Sequence, residues 1–277
     1  MNLFDQTAFK SSRIITNSYS TSFSLGIKIL AKKFHMPIYA IYGFVRYADE
    51  IVDTFHDHDK ENLLKEFKHD TYEAIERKIS LNPVLQSFQL VVNKYKIDRV
   101  LIDAFLKSMA MDLTDKKYDM HSYKEYIYGS AEVVGLMCLK VFCEGDKQLY
   151  DSLTEPAKSL GSAFQKVNFL RDIESDYYDR GREYFPGIDF NNFNSNSKKA
   201  IENDIQSDFD HAINGIMKLP KGAKLGVYLA YIYYVKLFQK IKLSPVSQIK
   251  KMRVRIPDNV KMYLFLLSWI KYRLKII

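Results

Sequence analysis

The sequence predicts an all-α fold, and three observations carry that expectation. Apolar residues recur three and four apart through most of the chain, and no stretch of comparable length alternates apolar with polar as a half-buried strand would. The interruptions of this pattern fall on clusters of Pro, Gly and Asn. With 277 residues, 47% hydrophobic and 27% charged, the chain has enough apolar surface for a substantial core. Helices of the same kind continue on both sides of every interruption, so a single domain over residues 1–277, without a fixed repeat, is expected.

In chain order, the helical period covers Ile38 to Val52, Leu63 to Ile79, Val84 to Tyr95 and Val100 to Met111, with Asn82-Pro83 between the second and third. Tyr123 to Phe142 and Leu149 to Ile173 follow, separated by Glu144-Gly145-Asp146. After Phe185-Pro186-Gly187 comes the longest irregular stretch, Pro186 to Ser197, whose Asn and Ser content suits a mobile lid or surface loop. Ile201 to Met217, Gly226 to Ile241 and Val260 to Leu274 complete the set, divided by Pro220-Lys221-Gly222 and Ile256-Pro257-Asp258.

Charge and cysteine usage narrow the function classes. Lys and Arg outnumber Asp and Glu by 41 to 33, a formal +8, which favours a polyanion, a phosphorylated substrate or an anionic membrane surface over a neutral partner. Cys138 and Cys143 stand five apart in an apolar helical run, so they do not share a face and read as buried free thiols. The N-terminus, Met1-Asn2-Leu3-Phe4-Asp5, lacks the basic-then-apolar order of an export signal, and a cytoplasmic location is expected. Spanning segments fail on length: Leu225 to Val235 is closed by Lys224 and Lys236, and Tyr263 to Ile270 by Lys261 and Lys271. That last segment reads as a core helix; the alternative is a basic C-terminal region in peripheral contact with the inner face of a membrane, its lone Trp269 at the interface.

The chemistry lies in two acidic helices. Tyr42, Arg46, Asp49 and Asp53 step by four, three and four, which puts a phenol, a guanidinium and two carboxylates on one stripe. A solvated stripe is the plainer reading of such a pattern, but Ile38, Ile41, Phe44, Val45 and Val52 leave this helix little perimeter for water. Gln165, Asn168, Asp172 and Asp176 repeat the logic in the second helix, with Arg171 on an adjacent face. Oxygen donors alone, with no His or Cys at ligand spacing, suit Mg²⁺ held by carboxylates and substrate phosphates and disfavour Zn²⁺.

Four ordered segments resemble the signatures of the squalene and phytoene synthases: Ser20-Thr21-Ser22-Phe23, Tyr39 through Asp53, Tyr128 through Met137, and Gln165 through Pro186. The resemblance implies an isoprenoid synthase fold, a helical bundle around a central apolar cavity, and head-to-head condensation of two prenyl diphosphates through a cyclopropyl diphosphate with release of diphosphate. It implies Mg²⁺, with Mn²⁺ as an alternative, held by Asp49, Asp53, Asn168, Asp172 and Asp176. Ser20, Thr21, Ser22, Phe23, Arg46, Gln165, Asn168 and Arg171 resemble substrate-binding positions, and Tyr42, Arg46 and the four aspartates belong to the catalytic set. Tyr234 is added as the tyrosine expected in the cavity.

Geranylgeranyl diphosphate, giving phytoene in carotenoid biosynthesis, is the first expectation for the substrate; farnesyl diphosphate, giving squalene or dehydrosqualene, is the second. NADPH would be needed only for squalene, and no dinucleotide-binding fingerprint is visible. A non-catalytic assembly relative is a third reading, against which the intact acidic motifs stand.

Two departures from the family pattern are Glu132, where Gly is usual, and Ser175 beside Asp176, where adjacent acids are common. Glu132 is expected at the cavity mouth or on a basic partner. His56-Asp57-His58-Asp59 reads as a solvated loop rather than a metal site, and Lys250 to Arg255 as a diphosphate- or membrane-facing patch rather than a nucleic-acid site.

Overall fold

The computed structural model describes residues 1–114 and 116–274, leaving aside the side chains of Ser22 and Asp258. Thirteen α-helices make up most of the described chain: α1 Leu3–Tyr19, α2 Thr21–Ile29, α3 Lys32–Asp53, α4 Lys60–Arg77, α5 Pro83–Tyr95, α6 Arg99–Thr114, α7 Met120–Ile127, α8 Val133–Cys143, α9 Lys147–Tyr178, α10 Ser195–Ile216, α11 Lys221–Leu243, α12 Val246–Ile249 and α13 Asp258–Arg273. Tyr128–Glu132, between α7 and α8, is a π-helical turn in which the Val133 N–H reaches the Tyr128 carbonyl.

Local chemistry sets the helix starts. Asn82 caps α5 by accepting from Val84 and Leu85, with Pro83 at the first helical position where its missing N–H costs nothing. Asp119 and Ser122 form a reciprocal capping box at α7, Asp146 caps α9, and Asn194 caps α10.

One core gathers around Phe44 of α3, whose ring stacks on Phe88 of α5 at 3.9 Å and meets Phe67 of α4 and Phe105 of α6 at 5.5 and 5.4 Å. On the adjoining face of that helix, Gly43 lets α1 approach so closely that a Cβ would lie 2.8 Å from the Ser12 hydroxyl oxygen. A second core joins Val167 and Leu170 of α9 to Phe209 of α10 and Phe238 of α11. Helix α9, about 48 Å long at 1.5 Å per residue, runs between the two.

Several expectations need correction. The helical pattern begins earlier than the apolar period suggested, because α1 and α2 are amphipathic with many polar positions, yet Ala8, Phe9, Ser12 and Thr16 are buried. The irregular stretch ends at Asn194, with Ser195–Ser197 already in α10. Phe190 and Phe193 pin that stretch to the body: both are buried, and Phe190 stacks on Tyr177 at 4.3 Å. One continuous helical run, Met120–Cys143, is long and apolar enough to cross a membrane, which the charge-free segments did not reveal; 56% of its apolar window is buried inside the bundle, as a core helix would be. Cys138 and Cys143 are free thiols, Cys143 buried and Cys138 partly so.

Candidate active site

The bundle encloses a cavity of about 440 Å³. Helix α3 lines it from Ile38 to Asp49 and α9 from Leu153 to Asn168, spans of about 16 and 22 Å at the helical rise. Its walls are apolar over most of that length, with Ile41, Val134, Leu139, Phe142, Leu153 and Leu219 among them, and its polar groups collect at the ends of α3 and α9 that carry the acidic motifs. Gly161 keeps α9 against the π-helical turn, since a Cβ there would stand 2.7 Å from the Ala131 carbonyl oxygen.

Seven of the residues singled out from the sequence line this cavity: Phe23, Tyr42, Arg46, Asp49, Gln165, Asn168 and Tyr234. Arg46 lies 3.6 Å from Asp49, is ion-paired with Glu50 and covers the Tyr19 ring at 4.3 Å. Its Nε is buried without a hydrogen-bond partner. Asp49 lines the cavity, and burial, reinforced by Asp53 and Asp112, pushes its carboxyl up to about 7. Burial likewise pushes the Tyr42 phenol up to about 12, so it keeps its proton. The Tyr234 hydroxyl donates to Asn168 Oδ1 at 3.2 Å, and its ring stacks on Phe164 at 3.9 Å.

Asp53, Arg171, Asp172 and Asp176 form an outer ring, where arginines bind the carboxylates. Arg171 folds onto its neighbour Asp172 (Nε to Oδ1 2.9 Å), and Arg253 reaches the same oxygen at 2.7 Å. Arg180 donates to Asp176 at 2.8 Å and lies 3.6 Å from Asp53, so one guanidinium bridges the two motifs. Asp176 is 8% exposed, and burial with the Asp172 charge pushes its carboxyl up to about 7.

Ser20 has a different place: it caps α2 by accepting from the Phe23 N–H at 3.2 Å, and it hydrogen-bonds Tyr42. Thr21 is exposed, and the Ser22 side chain lies outside the described residues. Glu132 is not among the cavity-lining residues and has no ion pair among those described; it faces α9 near Lys158, and burial pushes its carboxyl up to about 7. Ser175 turns back to donate to the Asp172 carbonyl at 3.1 Å.

The sequence reading missed Asp112. This carboxylate, 5% exposed at the end of α6, accepts from the Tyr126 and Tyr184 hydroxyls at 2.8 and 3.2 Å and lies 3.5 Å from Arg182. Its signal was an acid directly after the helical apolar period Val100 to Met111, which burial would make expensive without such partners.

Among the described residues no three acidic, His or Cys side chains converge on one point. Instead, oxygen donors lie in two patches whose carboxyls sit at raised values through burial, reinforced by neighbouring carboxylate charge. That donor set fits a hard divalent cation arriving with an anion able to take over the arginines.

A helical bundle around a long apolar cavity, with two carboxylate patches at its polar end, is an all-α isoprenoid synthase fold. The family model described as squalene/phytoene synthase matches residues 16–257, and the chain belongs to that family. The 4,4'-diapophytoene synthase of Staphylococcus haemolyticus is 27% identical over 199 residues, covering 70% of this chain and 67% of that protein. The 15-cis-phytoene synthase of Synechocystis sp. is 25% identical over 300 residues, 96% of this chain and 86% of that one. Among solved structures, a dehydrosqualene synthase in complex with ligand superposes with a TM-score of 0.84 at 21% identity, covering 99% of this chain and 98% of its own. A squalene synthase from Alicyclobacillus acidocaldarius gives 0.76 at 18% identity, covering 87% and 95%.

Proposed function

We propose that the protein is a Mg²⁺-dependent prenyltransferase joining two molecules of geranylgeranyl diphosphate head to head, through a cyclopropyl diphosphate, to phytoene. The observation that carries this reading is the pairing of an apolar cavity with a polar end lined by Arg46, Asp49, Gln165 and Asn168. Breaking an allylic carbon–oxygen bond leaves a cation and a diphosphate, and one site must stabilise the anion while keeping water from the cation.

The arginines that now hold the carboxylates supply the first requirement. Arg171, Arg180, Arg182 and Arg253 form forked, charge-assisted bonds, and a diphosphate offers them more oxygens than a carboxylate does. Their transfer to substrate would free Asp53, Asp172 and Asp176, which with Asp49 and Asn168 would hold Mg²⁺ or Mn²⁺. A metal held there would neutralise charge on the departing diphosphate. Tyr42 and Tyr234, both kept protonated by burial, offer hydroxyls at the polar end. The walls around Leu139, Phe142 and Leu153 are apolar, and burial pushes the thiol of Cys138, which also lines the cavity, up to about 12, so it keeps its proton.

A second reading takes farnesyl diphosphate to dehydrosqualene or, with NADPH, to squalene. It is supported by the near-complete superposition on a dehydrosqualene synthase. Purified protein incubated with each diphosphate and Mg²⁺, with and without NADPH, tests both. Phytoene from the longer substrate is expected. Product from the shorter one alone overturns the chain length, and no product or diphosphate release from either overturns the enzyme reading.

A further inference from the structure

The last long helix keeps its apolar residues on the outside. Met262, Tyr263, Leu266, Trp269 and Ile270 of α13 are each at least 46% exposed, and their spacing of three and four places them on one face. The opposite face is the packed one. Leu264 and Ser268 are buried, Lys261 covers the Tyr233 ring of α11 at 5.6 Å, and the Tyr272 hydroxyl donates to the Lys221 carbonyl at the start of α11. The core-helix expectation therefore holds for one side of α13 and fails for the other.

Charge is distributed just as unevenly. From His211 to the C-terminus the sequence carries fourteen Lys and Arg against one acid, Asp258, a formal +13, so residues 1–210 carry −5 of the chain's +8. Arg273 lies beside the apolar face, its guanidinium 5.6 Å from the Trp269 ring. Lys221, Lys236, Lys240, Lys251 and Arg255 are exposed in the same part of the chain.

We propose that the outward face of α13 docks in the plane of an anionic lipid bilayer. An apolar helix face with Trp and Leu, flanked by Lys and Arg, is the pattern that sinks to the boundary between headgroups and acyl chains. The surrounding positive charge selects a negative surface. A second copy of the chain is the weaker occupant, because a two-fold contact would bring two such positive regions together. The same helix also lines the cavity with Lys261 and Leu264. Docking would therefore separate cavity from lipid by about one helix diameter, roughly 10 Å.

Trp269 is the chain's only tryptophan, so its emission reports the event directly. Flotation of the full chain with phosphatidylcholine vesicles, with and without phosphatidylglycerol, should show binding and a blue shift only when the anionic lipid is present. A Leu266→Glu/Ile270→Glu variant should partition at least about tenfold less while melting at the wild-type temperature. Brominated acyl chains should quench Trp269 in the wild-type protein, a readout that needs no variant. The proposal is overturned by absence of binding or quenching with anionic vesicles, by equal binding to neutral ones, or by a vesicle-free, concentration-dependent blue shift accompanying dimerisation.

Discussion

Asp53 and Arg182 meet at 3.1 Å although 129 positions separate them in the chain. The contact joins the end of the first acidic motif to the loop after the second. The same guanidinium lies 3.5 Å from the Asp112 carboxylate and donates to the Asp112 carbonyl at 3.0 Å. One arginine thus ties α3, α6 and the segment following α9 at the place where the carboxylates gather.

Replacing Arg182 should therefore damage stability as well as activity. Arg182→Ala leaves Asp112 buried with a countercharge removed, a loss of about 3 kcal/mol in urea unfolding. Adding Asp112→Asn should recover part of it, because the stranded charge goes too. An unchanged midpoint for the single variant would show that Asp112 does not depend on Arg182.

Asp49→Ala and Asp172→Ala should each lower turnover about a thousandfold or more while leaving the helical circular dichroism intact. Neither side chain belongs to a hydrophobic core. EDTA should abolish turnover of the wild-type enzyme, and Mg²⁺ should restore it. Near-normal rates in either variant would remove that residue from the metal set.

Proton linkage gives stability and turnover opposite slopes. Burial raises Asp112 to about 6 and Asp176 to about 7, so the folded protein binds these protons more tightly than the unfolded chain does. The resulting stabilisation is complete below the ordinary carboxylate range and lost as pH rises through 6 to 7. Metal-free protein should melt lower at about pH 8 than at about pH 5, and Mg²⁺ should raise the melting temperature most at the higher pH. Turnover needs the ionised acids and should climb over the same interval. Parallel melting and rate profiles check the two signs.

Gly129→Ala should be strongly destabilising. A Cβ there would lie 2.4 Å from the Ala104 carbonyl oxygen and 2.7 Å from the Ser108 Cβ, both on α6. Such an overlap costs about 1 to 3 kcal/mol, readable as a lower urea midpoint. A wild-type midpoint would mean that α6 yields at no cost.

The two acidic stripes were legible because helical spacing alone puts Tyr42, Arg46 and Asp49, or Gln165 and Asn168, on a common face. What that spacing could not supply was their partners. Asp112 comes from a helix with no acidic pattern, and its tyrosines lie 14 and 72 positions away. Helices α1 and α2 escaped notice because residues such as Ser12 and Thr16 are buried by making hydrogen bonds rather than by being apolar. Glu132 stood out in the sequence, but only the packing of α9 shows that it faces Lys158 instead of the cavity. The face on which α13 presents its apolar residues likewise depends on which side α11 covers.

The π-helical turn at Tyr128–Glu132 also bears on how this chain tolerates insertions and deletions. Before it, Tyr126 points to Asp112; after it, Val134 and Cys138 face the cavity. Removing one residue there would restore a regular helix but rotate one segment against the other by about 100°, taking either the polar hub or the cavity wall out of register. Single-residue length changes are ordinarily cheapest in loops, and here the helical turn should be among the least forgiving sites. A deletion scan across residues 120–143 should therefore find its sharpest loss of folded protein at this turn.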